Sequence, residues 1–233
     1  ARALEYPWDK WTVFLHPAQR QLVDATYNGP ARVAGSAGTG KTIVALHRAA
    51  FLARANPDAR VLLATFSDTL ASALQTRLRR LIGSEPRLAE RLEVHSLDGL
   101  GQRLYKSLIG PARIASCDDV SRLLGEATAE LGSHKFSPGF LQTEWDHVVD
   151  AWQLGTWEEY RDVRRLGRRT RLPERQRATL WQVFEKVRAR LAAQQLTTVS
   201  GMFTALAATL SKGQNPPFDF AVVDEAQDLG VAH

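Results

Sequence analysis

One cysteine, Cys117, stands in 233 residues, so no internal disulfide can form. That suits a reducing compartment, and a lone thiol of this kind is expected to be a small buried hydrophobe rather than a nucleophile. No stretch approaches the roughly 18 apolar residues of a membrane span, so no membrane partner is expected. The opening Ala-Arg-Ala-Leu-Glu-Tyr lacks the basic, apolar and small-residue order of a signal peptide. Together these absences point to the cytoplasm. No internal repeat or low-complexity tract is present, and the first residue is not Met, as in a processed or excised piece. What remains is ordinary for a globular protein: 44% apolar residues, enough for a core, and 24% charged. The net charge of +5 permits a polyanionic partner without requiring one.

The most informative segment is Gly35-Ser36-Ala37-Gly38-Thr39-Gly40-Lys41-Thr42, which fits G-x-x-x-x-G-K-[ST], the phosphate-binding P-loop. Its three glycines let the backbone turn tightly and aim N–H groups at phosphate oxygens. Lys41 can reach the β- and γ-phosphates, and the Thr42 hydroxyl can hold Mg²⁺. A short apolar stretch, residues 31–34, precedes the loop and reads as a strand. The apolar positions Ile43, Val44 and Leu46 after it open a helix running to about Leu52, whose positive end would face the anion.

Residues 61–66 read as a buried strand, and Leu70, Leu74, Leu78 and Leu81 as one face of a helix. Residues 92–94 form a weaker strand. From about 100 to 215 the strand signal vanishes and helical stripes replace it: Val120/Leu123/Leu124/Ala127/Leu131, Leu141/Trp145/Val148/Val149/Trp152, Leu180/Phe184/Val187/Leu191, and Leu206/Leu210. Trp145, Trp152 and Trp181 lie on such stripes and are expected in the core. Strand character returns at 218–223, after Asn215-Pro216-Pro217. A strand-to-strand crossover takes about 30 residues or slightly more, so this interval is too long for one. The expected fold is α/β, a P-loop parallel sheet interrupted by an all-helical insertion. The first part of the ATP-binding domain covers residues 1–100, the insertion 101–200, and the return 201–233.

Residues 218–223 end in Asp224 and Glu225, the form of a Walker B element. There Asp224 would hold Mg²⁺ through its water shell, and Glu225 would orient or deprotonate the attacking water. A strand ending in a solvated acidic turn would look the same in isolation. A P-loop upstream makes the catalytic reading the better one, with Lys41, Asp224 and Glu225 as its catalytic residues.

Asp224-Glu225-Ala226-Gln227-Asp228 resembles the D-E-x-Q-D motif of the UvrD/Rep-type superfamily 1 DNA helicases. Other segments resemble that family in order. Leu15-His16-Pro17-Ala18-Gln19 is similar to the L-x-x-x-Q of its adenine-reading motif, and Gly35 to Thr42 with His47-Arg48 to its first motif. Ala64-Thr65-Phe66-Ser67 is similar to A-x-T-F-T-N, and Val94-His95-Ser96-Leu97 to T-x-H-S/G. The helical interval falls where the family inserts a helical subdomain into its first RecA-like domain.

The resemblance implies ATP and Mg²⁺ as ligands, held by Gln19, by Gly35, Ser36, Ala37, Gly38, Thr39, Gly40, Lys41 and Thr42, and by Gln227, with Thr42 and Asp224 on the metal. Gln19 would read the adenine edge, since an amide both donates and accepts. The resemblance also implies that Thr65, Phe66, Ser67, His95 and Ser96 face single-stranded DNA or its junction with duplex. Phe66 would stack on a base there or, equally, pack in the core. A monomer is the expected state.

Three departures stand out. Ile43 occupies the position where the family often has an adenine-stacking Arg, leaving other groups, Arg48 among them, to hold the base. Asp68 stands where the family has Asn, and a carboxylate there suits capping of the next helix better than a phosphate contact. The usual Thr before Val94 is missing. Residues 161–177 also carry eight arginines against two acids, Asp162 and Glu174. That run would either track duplex phosphates or serve as a solvated face.

The chain stops five residues after Asp228, where members of the family continue into a second RecA-like domain that supplies arginines to the γ-phosphate. The resemblance therefore implies a piece of an ATP-driven helicase that by itself binds Mg-ATP weakly and hydrolyses it poorly. A P-loop ATPase that switches a partner, and a non-catalytic nucleic-acid-binding module, are the alternative functions.

Overall fold

All five residues of Val61–Thr65 (β1) are buried. An unbroken apolar run is the form a central parallel strand takes, because both of its faces are covered. In the computed structural model, which describes residues 14–83, 85–111, 113–132, 135–164, 172–213 and 215–233, β1 lies between Leu92–Ser96 (β2) and Phe220–Val223 (β3). All pairings are parallel, with Val61 opposite Leu92 and Phe220, and Thr65 opposite Ser96. The sheet is thus the parallel one the sequence predicts. Residues 31–34 are the exception. They form no strand, and Val33 is 39% exposed. Local apolarity makes a strand only where a neighbour offers a hydrogen-bond ladder, and among the described residues none runs beside this segment.

The described residues form two compact units, one of residues up to Leu100 with Gly213–Leu229, the other of Gly101–Lys212 with Gly230–His233. The first unit carries the helices Pro17–Asp24 (α1), Lys41–Ala55 (α2), Asp68–Ile82 (α3) and Pro86–Ala89 (α4). One face of the sheet, presenting Val61, Leu63 and Leu92, packs against Leu46, Ala49 and Ala53 of α2 and Leu74 and Leu78 of α3. Helix α3 is capped by Ser67, whose hydroxyl accepts from the Leu70 N–H, rather than by Asp68, which is the first helical residue. Its buried positions are Ala71, Leu74, Leu78 and Ile82, so Leu70 falls at the edge of the stripe and is 41% exposed.

Helix Leu97–Leu108 (α5) leads into the second unit, which is helical: Cys117–Ala129 (α6), Pro138–Glu144 (α7), Trp157–Asp162 (α8), Glu174–Ala193 (α9) and Val199–Leu210 (α10). Its core holds Leu123, Trp145, Tyr160, Leu180, Phe184 and Val187. The Tyr160 ring stacks on Trp181 at 5.6 Å, and its hydroxyl donates to buried Glu144 at 2.9 Å. The return to the sheet unit lies at 213, not at 201. Helix α10 belongs to the helical unit because Thr198 donates to Asp150 Oδ1 at 2.5 Å and Met202 and Phe203 pack on Gly101. A Cβ on Gly101 would sit 2.7 Å from the Phe203 ring, so that contact requires glycine.

Two expectations about single residues are corrected. Cys117 is exposed. It opens α6 just after the Ser116 cap, whereas the buried face starts at Val120. Trp145 and Trp181 are buried as expected, but Trp152 is 55% exposed. A π-helical turn at Trp145–Val149, with the Asp150 N–H donating to the Trp145 carbonyl at 2.9 Å, inserts an extra residue per turn. That rotates everything after it away from the phase of a 3.6-residue stripe. Among the described residues, no helix is long and apolar enough to cross a membrane.

Candidate nucleotide and nucleic-acid site

The loop from Gly35 to Gly40 needs its glycines for geometric reasons. Gly38 and Gly40 have φ of 77° and 82°, in the left-handed region that side chains avoid. A Cβ on Gly40 would also lie 2.8 Å from Gln19 Nε2, and one on Gly35 2.8 Å from Thr39 Oγ1. Among the described residues no acceptor meets the N–H groups of Ala37, Gly38 or Gly40. Those N–H groups, at the amino end of α2, make a cradle suited to an anion. The Lys41 ammonium folds across it and donates to the carbonyls of Gly35 and Ser36 at 3.1 and 3.0 Å. Thr39 Oγ1 donates to the Ser36 carbonyl at 2.8 Å and tightens the turn.

Gln19 ties α1 to this loop. Its Oε1 accepts from the His16 N–H at 3.1 Å, completing the helix cap, and its Nε2 donates to the Thr39 carbonyl at 2.8 Å. An amide has two donor hydrogens and two acceptor lone pairs, so one of each remains for a base. Arg48 does not stand in for the missing adenine-stacking arginine. Its guanidinium donates to the Val23 and Ala25 carbonyls at the end of α1, at 2.5 and 2.7 Å, and lies 4.9 Å over the Tyr27 ring. Ile43 packs against the clusters around Leu46 and Val44.

Asp224 follows the last residue of β3 and is 8% exposed. Its N–H donates to the Ala64 carbonyl at 2.8 Å, which fixes it at the carboxyl end of the sheet. Burial pushes its carboxyl above the ordinary carboxylate range. The Thr42 hydroxyl, hydrogen-bonded to it, and the nearby Lys41 charge pull it the other way, while Glu225 adds to the rise. Lys41, Thr42 and Asp224 therefore converge, although one element lies near each end of the chain. A poorly solvated carboxylate beside a hydroxyl and a phosphate cradle is a donor set that fits a hard divalent cation with an attached phosphate.

Glu225 adopts φ 56° and ψ 39°, a left-handed conformation that costs a non-glycine residue about 1–3 kcal/mol. Its carboxylate accepts a hydrogen bond from Gln227 Nε2. Gln227, expected to touch nucleotide, here orients Glu225. That role has no sequence signal of its own beyond the two-residue spacing across a 3₁₀ turn, Ala226–Asp228.

The residues expected on DNA separate by exposure. Phe66 is 47% exposed at the tip of β1, which excludes the core-packing alternative. Ser67 accepts the α3 cap bond and keeps its own proton to donate. His95 Nε2 lies 2.9 Å from Glu93, which also pairs with Arg60 at 2.8 Å. Thr65 and Ser96, in contrast, are 0% and 4% exposed. The Ser96 hydroxyl donates to Asp68 and accepts from the Gly99 N–H, so its one proton is committed inside the chain. Each ends a strand with its side chain buried. Of the arginine run, Arg165, Arg168, Arg169 and Arg171 lie outside the described residues. Arg161 pairs with Asp162 at 2.8 Å, and Arg177 donates to the Leu172 and Arg161 carbonyls.

A search of curated proteins returned no match. The family model for the UvrD/REP helicase N-terminal domain matches residues 15–232, which takes in the phosphate loop, the helical unit and the acidic strand end alike. With α/β topology and a P-loop of RecA-like kind at its centre, the chain belongs to the UvrD/REP helicase N-terminal domain family.

Proposed function

We propose that this chain is the ATP-binding portion of a cytoplasmic, monomeric DNA helicase or translocase, coupling ATP hydrolysis to movement on single-stranded DNA and at its junction with duplex. The observation that carries the reading is the meeting of Thr42 and Asp224 beside Lys41. Lys41 would exchange its two loop carbonyls for β- and γ-phosphate oxygens. The Ala37, Gly38 and Gly40 N–H groups would bind phosphate, and Gln19 would read adenine with its remaining donor and acceptor. Thr42 and Asp224 would hold Mg²⁺, which when bound neutralises phosphate charge. Glu225, oriented by Gln227, would accept the proton of the attacking water. An arginine on the γ-phosphate is worth roughly 10³–10⁵ in turnover. None of the residues named here is an arginine, so slow turnover by the chain alone is expected.

The DNA part of the reading rests on Phe66, exposed at the same end of the sheet as Asp224. Base stacking on an aromatic ring contributes about 1–3 kcal/mol. Phe66→Ala is therefore expected to weaken binding of a labelled oligothymidylate by roughly 5- to 150-fold in fluorescence anisotropy. Mg-ATP binding should stay unchanged. No oligothymidylate binding by the unsubstituted chain would instead favour an ATPase that switches a protein partner.

A further inference from the structure

Thr65 Oγ1 is fully buried and has no hydrogen-bond partner among the described residues. Native proteins contain few such atoms, because each forfeits its hydration without recompense. Its surroundings say what could satisfy it. Thr65 lies opposite Ser96 in the β1–β2 register, and Asp224 follows directly on the Ala64–Val223 pair across the β1–β3 register. Side chains in one cross-strand row point to the same face, and alternate residues of a strand share a face. Val61 and Leu63 face α2. The row Ser96, Thr65, Asp224 therefore lies on that same face, at the carboxyl end, where α2 presents Thr42. Ser96 is satisfied by Asp68, and Asp224 has Thr42. Only the hydroxyl between them is left over.

We propose that Thr65 is a positioning residue of the metal–nucleotide site, its hydroxyl holding a water of a hydrated divalent cation next to Asp224, and not a DNA contact. This rests on the nucleotide-binding reading above. Mg²⁺ keeps several waters when protein-bound, and such a water has one hydrogen to give to Thr65 Oγ1 and another to give to a phosphate oxygen. The hydroxyl keeps its own proton, which it can donate to a second water beside the Asp224 carboxylate. Groups that orient a metal's own ligands typically change metal affinity by 10- to 100-fold when lost.

The test compares Thr65→Val and Thr65→Ser with the unsubstituted 233-residue chain. Melting temperature is read in EDTA, a fluorescent ADP analogue is titrated at increasing Mg²⁺, and oligothymidylate binding is read without nucleotide. Thr65→Val should melt no lower than the unsubstituted chain in EDTA, since it deletes an unsatisfied hydroxyl at nearly constant shape. It should need about tenfold more Mg²⁺ for half-maximal nucleotide binding. Thr65→Ser should restore the Mg²⁺ midpoint, and oligothymidylate affinity should be the same in all three. An unchanged Mg²⁺ midpoint in Thr65→Val overturns the proposal, whether accompanied by a lower melting temperature, which makes Thr65 a packing residue, or by weaker DNA binding, which makes it a DNA contact. If the unsubstituted chain shows no Mg²⁺-dependent nucleotide binding, the nucleotide reading itself fails. If it shows such binding and Thr65→Val matches it, only this inference fails.

Discussion

Lys41→Met is expected to weaken Mg-ATP binding by roughly 30- to several-thousand-fold in a calorimetric titration. Truncating one member of a close charge pair costs about 2–5 kcal/mol, much of it because the opposing charge is left uncompensated. Two sets of negative charge depend on this ammonium. One is the phosphate tail that the Gly35–Gly40 cradle would hold. The other is Asp224, whose carboxyl is already pushed up by burial and pulled down in part by Lys41. The fold should not suffer, because in the structure Lys41 only spans two carbonyls at the mouth of the loop. Melting temperature within a degree or two of the parent, together with lost ATP binding, is therefore the expected pair of results. Unaltered affinity would mean that the cradle does not receive phosphate.

Glu225→Gln should behave in the opposite way. Binding of Mg-ATP should persist while turnover, read as phosphate release, falls about 10²- to 10⁴-fold, the usual contribution of a positioned general base. The structure supports a dedicated role for this side chain. A non-glycine residue is held in the left-handed region, and Gln227 is bonded to its carboxylate. Strain of this kind persists only where the surroundings enforce it. Glutamine preserves the shape and the contact with Gln227 but cannot take a proton. Turnover within threefold of the parent would remove Glu225 from the chemistry.

How much of this was legible in the sequence depended on whether the signal was local. The P-loop is local: Gly38 and Gly40 are required by their φ angles, and a helix follows it, starting at Lys41, two residues before the apolar positions that announce it from Ile43. The acidic pair at Asp224 and Glu225 is read from a short apolar run and its end. The convergence of Lys41 with Asp224 could be inferred only because both ends carry recognisable parts of one chemistry. Features that depend on partners were not legible. Residues 31–34 have the composition of a strand and no ladder to join. Trp152 sits on a perfect helical stripe until a π-turn breaks its phase. The boundary at 213 follows from the packing of Met202 and Phe203 on Gly101, which no pattern in the sequence announces. Ser96 and Thr65 fit a DNA-facing motif by type, yet the strand register turns both inward. Gln19 and Gln227 stand out in the sequence by type and spacing, but only coordinates show that one clasps the loop and the other the Glu225 carboxylate.

The central claim is that the beginning and the end of the chain act on one metal-bound nucleotide. A double-mutant cycle of Thr42→Ala and Asp224→Asn, read by Mg-ATP affinity, tests it most directly. Groups sharing one ion are predicted to be strongly non-additive, with the double variant little worse than either single one and a coupling of roughly 1–3 kcal/mol. Effects that simply add would show that Thr42 and Asp224 serve separate sites, and would contradict the account.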